Sequence, residues 1–281
     1  MTRFAILLCA AASVAGCRTT SSSGPKAFET ALSAEDRTML PDYTPALLNV
    51  VVDAKKAMGS VRTDGEGFSL QGTAAVESAS APSRYFITMY GFQGTGGFNL
   101  PRFTHTFAYF VRVAGNDLTT GPLETFTISW DAADGDIGIL QPVEAGHNYT
   151  LAETLALADS LNVNVAVRRS ALLEITKTLY DKALNRYQML IDGEDTGAVR
   201  YKMTDTVQSR NGVIQKVPGS HSNCIAAVAD VLVGPGGALL GTGNKRGFAA
   251  SDAVLHWYLA SPHFLNSTQG HDTVLAPRLG I

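Results

Sequence analysis

The residue best suited to carry chemistry is Cys224, in the stretch "PGSHSNCIAAVADVL". Pro218 and Gly219 predict a turn, and Ser220 or Ser222 is predicted to cap the helix that follows. Cys224 would then lie in the first helical turn. Unpaired amides and the positive end of the helix dipole favour a thiolate there, and the thiolate is the attacking form of cysteine.

Burial is the alternative explanation for Cys224. The residue shares the i, i+3, i+4, i+7 spacing of an apolar helical stripe with Ala227, Val228 and Val231. Free cysteine is among the residue types most often found inside proteins. The spacing therefore leaves a nucleophile and a small core residue both open.

A nucleophilic thiol needs a base, and His105 is the best placed of the six histidines. In "FTHTFAYFV" it alternates on one face of a predicted strand with Phe103, Phe107, Tyr109 and Val111. A histidine on such a face needs a hydrogen-bond partner, which a thiol on a packed helix or another structural group would supply. The remaining histidines are weaker candidates: His221 in the loop before Cys224, and His147, His256, His263 and His271.

A third group usually orients the imidazole of such a pair. The stretches 102–113 and 123–130 alternate and are joined by the turn-rich "AGNDLTTGP", which predicts an antiparallel pair. A turn near Leu118 would bring residues 129 to 131 opposite His105. Ser129 and Asp131 fall there, and Ser129 is the predicted orienting residue.

The elements that must position these residues predict an α+β fold, with an antiparallel sheet packed against helices. "TPALLNVVVDAKKAMGSV" has a helical apolar stripe, whereas the region from Gly67 to Trp130 has strand periodicity. Thr150 and Glu153 predict a capping box for the next helix, and Ser170 is predicted to cap a long helix that ends near Gly193. "VNVAV" and "VRYKM" fit short strands, "NCIAAVADVLV" fits a helix, and Ser251 is predicted to cap "SDAVLHWYLA".

The N-terminus, "MTRFAILLCAAASVAGC", predicts a bacterial lipoprotein signal peptide over residues 1–16. Arg3 precedes 12 apolar residues, too few to span a bilayer as a helix. Val14 to Cys17 resemble a lipobox, in which Cys17 becomes the lipidated N-terminus. Residues 17–26 then form a polar tether, and residues 27–281 a single domain. Arg18, where aspartate would signal inner-membrane retention, indicates the outer membrane, facing the periplasm.

Composition narrows the class of partner. The formal net charge is −3 at pH 7, and no basic, aromatic-interleaved patch indicates nucleic acid. The glycine-rich stretch "GPGGALLGTGNKRG" lacks phosphate-loop spacing, and "DAADGD" lacks the closing glutamate of a calcium loop. We therefore predict no cofactor and no metal.

Loss of Cys9 and lipidation of Cys17 would leave Cys224 as the lone thiol of an exported chain, which favours a functional role for Cys224.

The order of these motifs resembles the circularly permuted papain-like fold of NlpC/P60-type thiol hydrolases. The stretches that carry the resemblance are "FTHTFAYF", "ETFTISW" and "HSNCIAAVAD", in which His precedes Cys. The resemblance implies that Cys224 attacks, that His105 is its base and that Ser129 occupies the orienting position. The family commonly has His, Asn, Gln or an acid at that position. The stretch from Thr150 to Gly193 would be a helical insertion or accessory layer.

The function that this resemblance implies is cleavage of an amide bond, often in a cell-wall peptide, at the membrane surface. Two alternatives remain: a non-catalytic lipoprotein that binds a wall component or a protein partner, and a cysteine-dependent acyltransferase. The acyltransferase would share the nucleophile and differ in the acceptor.

Overall fold

The computed structural model describes ten stretches of the chain: residues 48–55, 82–95, 101–134, 143–161, 165–202, 207–210, 213–216, 221–233, 247–265 and 270–281. The predicted signal peptide, Cys17 and the tether lie outside these residues, as does nearly all of the glycine-rich stretch. Among the described helices, none combines the length and apolar character needed to cross a membrane.

The described residues form strands and five helices, which confirms the predicted α+β class. The strands are β1 (Val50–Val52), β2 (Arg84–Thr95), β3 (Pro101–Val113), β4 (Leu123–Ile128), β5 (Trp130–Ala132), β6 (Glu144–Asn148), β7 (Val165–Arg169), β8 (Leu173–Ile175), β9 (Arg200–Tyr201), β10 (Val207–Arg210), β11 (Val213–Lys216) and β12 (His221–Ser222). The helices are α1 (Leu151–Ser160), α2 (Lys177–Thr196), α3 (Cys224–Val233), α4 (Phe248–Leu259) and α5 (His271–Leu279).

The main sheet is antiparallel, with strand order β1-β7-β2-β3-β4, and β8 also pairs with β2. Strands β2 and β3 form its centre and pair along almost their full lengths. Their aromatic and β-branched residues suit a pleated surface that is covered on both faces. Phe107 and Tyr109 are buried on one face of β3, and Ala108 and Phe110 on the other.

The chain leaves the main sheet at Ser129. The β3–β4 ladder ends with Ala108 opposite Ile128, and β5 instead pairs with β6 in a second sheet, ordered β12-β9-β6-β5. Asn148 stabilises this change of sheet, because its side chain accepts a hydrogen bond from Ser129 N (3.0 Å) and donates to the Thr127 carbonyl (2.9 Å). The N-terminal half of β3 therefore has no β4 partner.

Helices cover both faces of the main sheet. Helix α3 packs with α2 and α4 in a hydrophobic cluster that includes Ala108, Phe110 and Phe126, whereas α1 and α5 pack on the face of Phe107, Tyr109 and Val111. Helix α3 is rich in alanine, so its backbone approaches β3 closely. A buried ion pair between Arg186 of α2 and Asp230 of α3 (3.0 Å) fixes it laterally.

Three predictions about elements are wrong. Val50–Val52 is a strand paired with β7, although a helix is predicted there, and Val51 (72% exposed) lies on no apolar stripe.

Ser170, the predicted cap of the long helix, does not cap it. Strand β8 lies between Ser170 and α2, and α2 begins after Thr176, which is its cap. The Ser170 hydroxyl instead accepts from Met89 N (3.0 Å). Ser251 lies inside α4, which begins at Phe248.

The segment from Thr150 to Gly193 is not purely helical, whereas the predicted helical insertion would be. It contributes β7 and β8, which both pair with β2 in the main sheet. The capping box of α1 is confirmed: Thr150 Oγ1 accepts from Glu153 N (3.2 Å), and Glu153 accepts from Thr150 N (2.8 Å).

The ion pair that fixes α3 should be essential for stability. Replacing Arg186 by Met leaves Asp230 buried without its cation, so we expect the free energy of unfolding to fall by about 3–5 kcal/mol. Chemical denaturation followed by circular dichroism measures this. The double variant Arg186→Met, Asp230→Leu removes both charges and should recover most of the loss. A double variant as unstable as the single one would contradict this explanation.

Candidate functional site

His105 is the centre of a buried polar cluster beside the point where the chain changes sheets. Its ring is 2% exposed and lies between Phe92 and Phe107, with centroid distances of 5.3 and 5.5 Å. Because an unpaired imidazole costs free energy in such surroundings, its two nitrogens require polar partners. Burial lowers the pKa of His105 to about 3, so the ring is neutral at pH 7.

Ser129, one of the residues 129 to 131 predicted to lie opposite His105, is the partner of one ring nitrogen. His105 Nε2 and Ser129 Oγ are 2.8 Å apart, and Ser129 is fully buried. Thr154 Oγ1, on α1, donates to Ser129 Oγ (2.7 Å) and also reaches the Thr150 carbonyl (2.7 Å). The capping box at Thr150 thus fixes the helix turn that supports Ser129.

Asp131, the second of the two residues predicted to lie opposite His105, faces the other ring nitrogen. Its Oδ2 lies 3.3 Å from His105 Nδ1, but neither atom makes a well-aligned hydrogen bond. Extending the β3–β4 register by three residues puts Asp131 directly opposite His105, so the signal was present in the strand alternation. Burial raises the pKa of Asp131 to about 7, partly offset by hydrogen bonds from Ala132 N and Tyr201.

Cys224 is the first residue of α3, and Asn223 caps that helix. Asn223 Oδ1 accepts from Ala226 N (2.8 Å), whereas Ser222 Oγ accepts from Arg186 and donates to the Asn223 carbonyl. Ser222 is therefore not the cap, and Ser220, the other predicted cap, lies outside the described residues. Cys224 is partly exposed, although protein atoms surround its thiol.

The Cys224 sulfur lies beside the His105–Thr106 peptide. The Thr106 amide donates to it, as do the amides of Ile225 and of Cys224 itself. These three donors lower the pKa of the thiol, but burial and the charge of Asp131 outweigh them and raise it to about 12. The resting group is therefore a neutral thiol.

The Cys224 sulfur thus lies beside the backbone of His105 and Thr106, but no hydrogen bond joins the described ring to the sulfur. The ring lies with Phe107 on one face of β3, and α3 packs against Ala108 on the other. Asp131 links the two groups, since its carboxylate faces His105 Nδ1 and acts electrostatically on Cys224.

Three other histidines contact groups other than the thiol. His147 pairs with Glu194, His263 Nδ1 contacts Thr176 Oγ1 (3.1 Å), and His271 lies 3.6 Å from Glu174 and packs edge-on against Phe86. His256 is exposed on α4. His221 begins β12, directly before the cap of α3. In the part of the chain that the structure describes, no cluster of three or more His, Cys, Asp or Glu residues could hold a metal ion.

Compared with family models, with curated proteins and with solved structures, the chain matches none.

The buried carboxyl of Asp131 should make stability depend on pH. Its pKa is raised when folded, so the stability it contributes is present below pH 4 and is lost as pH rises through about 7. Asp131→Asn lacks this dependence. The free energy of unfolding of Asp131→Asn relative to wild type should therefore rise by about 2–4 kcal/mol between pH 4 and pH 8.

Urea denaturation at several pH values measures this difference. Asp134→Asn is the matched control, because Asp134 is exposed at the end of the same segment. The difference in free energy of unfolding between Asp134→Asn and wild type should not change with pH. A flat difference for Asp131→Asn as well would show that the Asp131 pKa is ordinary in the folded state.

Proposed function

We propose that this protein is a lipid-anchored thiol hydrolase of the bacterial cell envelope that cleaves an amide bond. Cys224 is the nucleophile, His105 the base and Ser129 the group that orients the ring, on a permuted papain-like architecture. The observation that carries the proposal is the position of Cys224 at the start of α3, which packs against β3, the strand that carries His105.

The partners of the imidazole support this division of roles. Ser129 occupies Nε2, and Nδ1 makes no aligned hydrogen bond. When the Thr154 proton points to the Thr150 carbonyl, Ser129 Oγ can accept from Nε2–H, and Nδ1 then carries the lone pair. Nδ1 is therefore the atom that takes the thiol proton in the proposed reaction. The ring and sulfur must approach each other when substrate binds, as catalytic hydrogen bonds often do.

The proposed reaction begins as the thiol gives its proton to His105 Nδ1 and the thiolate attacks the substrate carbonyl carbon. A C–S bond forms, and the carbonyl oxygen becomes an oxyanion near the first amides of α3. The C–N bond then breaks, and the imidazolium protonates the leaving amine. Water attacks the thioester, its proton passes to His105, and the C–S bond breaks to restore the thiol.

Two other functions share parts of this site. An acyltransferase would use the same first half-reaction with an acceptor other than water, so an acyl-enzyme whose breakdown requires that acceptor would identify it. A non-catalytic lipoprotein that binds a wall component or a protein is favoured by one observation: the resting thiol is neutral and the imidazole is enclosed by phenyl rings.

Hydrolysis should depend on both members of the pair. Cys224→Ala and His105→Gln should each lower kcat/KM on peptidoglycan fragments or small amide and ester substrates by at least about 10³-fold, because the nucleophile or its activation is lost. His263→Gln, which changes a histidine remote from the thiol, is the matched control and should keep wild-type activity. Equal turnover by wild type and Cys224→Ala would end the catalytic proposal and favour the binding lipoprotein.

The lipid anchor gives a second test. Cys17→Ser should abolish incorporation of labelled palmitate and move the protein from the membrane to the soluble fraction, because each buried methylene contributes about 0.8 kcal/mol to anchoring. Cys9→Ser alters the other N-terminal cysteine and should leave labelling and fractionation unchanged. Palmitate incorporation into Cys17→Ser would refute lipidation at this residue.

A further inference from the structure

A buried carboxylate lies beside the imidazole of the proposed site and acts electrostatically on its thiol. Asp131 is 1% exposed, and its Oδ2 is 3.3 Å from His105 Nδ1 without an aligned hydrogen bond. Its Oδ1 accepts from Ala132 N (2.9 Å), which fixes the side chain against its own strand. The carboxyl group therefore keeps one oxygen directed at the ring.

Tyr201 holds the same carboxyl group from the second sheet. Its side chain is buried, and its hydroxyl forms a hydrogen bond with Asp131. Strand β9, which carries Tyr201, pairs with β12 directly before α3, so Tyr201 and Cys224 lie on neighbouring elements. The titratable groups that face or neighbour Asp131 are His105 on β3, Tyr201 on β9, Cys224 on α3, and Glu144, His147 and Tyr149 on or next to β6.

We propose that Asp131, supported by Tyr201, lies against Nδ1 of the His105 ring, which Ser129 orients, and sets the ionisation of the Cys224 thiol through its charge. The expected effect of Asp131 on turnover rests on the proposed function. The expected effect of Asp131 on the thiol does not, because any reagent that reacts with a thiolate reports the ionisation of Cys224.

The physical reason is repulsion between two anions in a buried site. A charged Asp131 opposes formation of a thiolate nearby, and the interaction is strong because little water screens it. A protonated Asp131 removes this opposition. Since burial places the Asp131 pKa at about 7, the carboxyl changes charge within the neutral range. The pKa of the Cys224 thiol is therefore lower while Asp131 keeps its proton than after Asp131 has lost it.

Native-state alkylation of Cys224 by iodoacetamide tests this proposal directly. The rate is measured from pH 5 to pH 10 on the full chain, with mass spectrometry of the Cys224 peptide as the readout. Asp131→Asn should increase the rate at pH 8 by at least about ten-fold, because a fall of one unit in the thiol pKa gives ten times more thiolate. Asp134→Asn, the exposed control, should stay within about two-fold of wild type.

Tyr201→Phe supplies an independent second variant. It removes a hydrogen bond that lowers the pKa of Asp131, so the carboxyl should stay neutral to higher pH. The alkylation rate at pH 7–8 should then rise above that of wild type, by less than in Asp131→Asn. This variant decides the question if Asp131→Asn does not fold. Unchanged or slower alkylation in a folded Asp131→Asn, or in Tyr201→Phe if only that variant folds, would overturn the proposal.

Alkylation and hydrolysis separate this proposal from the proposed function. Faster alkylation of Asp131→Asn in a protein that hydrolyses no substrate would support control of the thiol by Asp131 and count against the enzyme. Cys224-dependent hydrolysis with unchanged alkylation in Asp131→Asn would support the enzyme and overturn the role of Asp131. If both hold, the pH profile of kcat/KM should differ between Asp131→Asn and wild type, which a purely structural role would not produce.

Discussion

The arrangement of the candidate site depends on one constraint: the imidazole of His105 is buried among aromatic rings and must be given polar partners. A ring in the middle of a continuous sheet would find only hydrocarbon on this face. The chain meets the requirement by leaving the main sheet at Ser129, where Asn148 takes over the backbone hydrogen bonds. That departure brings Ser129 and Asp131 against the two ring nitrogens. The support for His105 and the boundary between the two sheets are therefore the same structural feature.

The same departure explains why helix α3 can bring its first residue to β3. The residues of β3 that precede Ala108 have no β4 partner, and the amide of Thr106 donates to the Cys224 sulfur instead. Small side chains allow the helix to approach, and the Arg186–Asp230 pair and the bond from the Tyr258 hydroxyl to the Val228 carbonyl (2.8 Å) hold it. The position of the thiol thus follows from packing on α2 and α4 as much as from the helix cap.

Local sequence signals predicted the parts of this arrangement that local interactions determine. Alternating aromatic and β-branched residues identified β2, β3 and β4, the capping box identified the start of α1, and the expected strand pair brought Ser129 and Asp131 opposite His105. The signals failed where distant segments decide: Val50–Val52 is a strand because β7 is available to pair with it, and Ser170 bonds β2 because β8 precedes the helix. No local pattern indicates that the two-residue strand with Tyr201 meets Asp131. The strand register also indicated Asp131, but it gave two candidates and could not show how deeply each side chain is buried.

The electrostatics of the thiol limit how the proposed reaction can start. Three amides favour the thiolate, but burial and Asp131 oppose it more strongly, and the imidazole is equally reluctant to become charged. A stable thiolate–imidazolium pair is therefore disfavoured in the resting protein, and proton transfer must accompany attack on the substrate. This makes the charge of Asp131 decisive in the proposed reaction. Its negative charge would stabilise the imidazolium that forms next to it, while it repels the thiolate that must precede bond formation. Because these two effects oppose each other, the balance depends on which group lies closer, and the ring, at 3.3 Å, is in direct contact with the carboxylate.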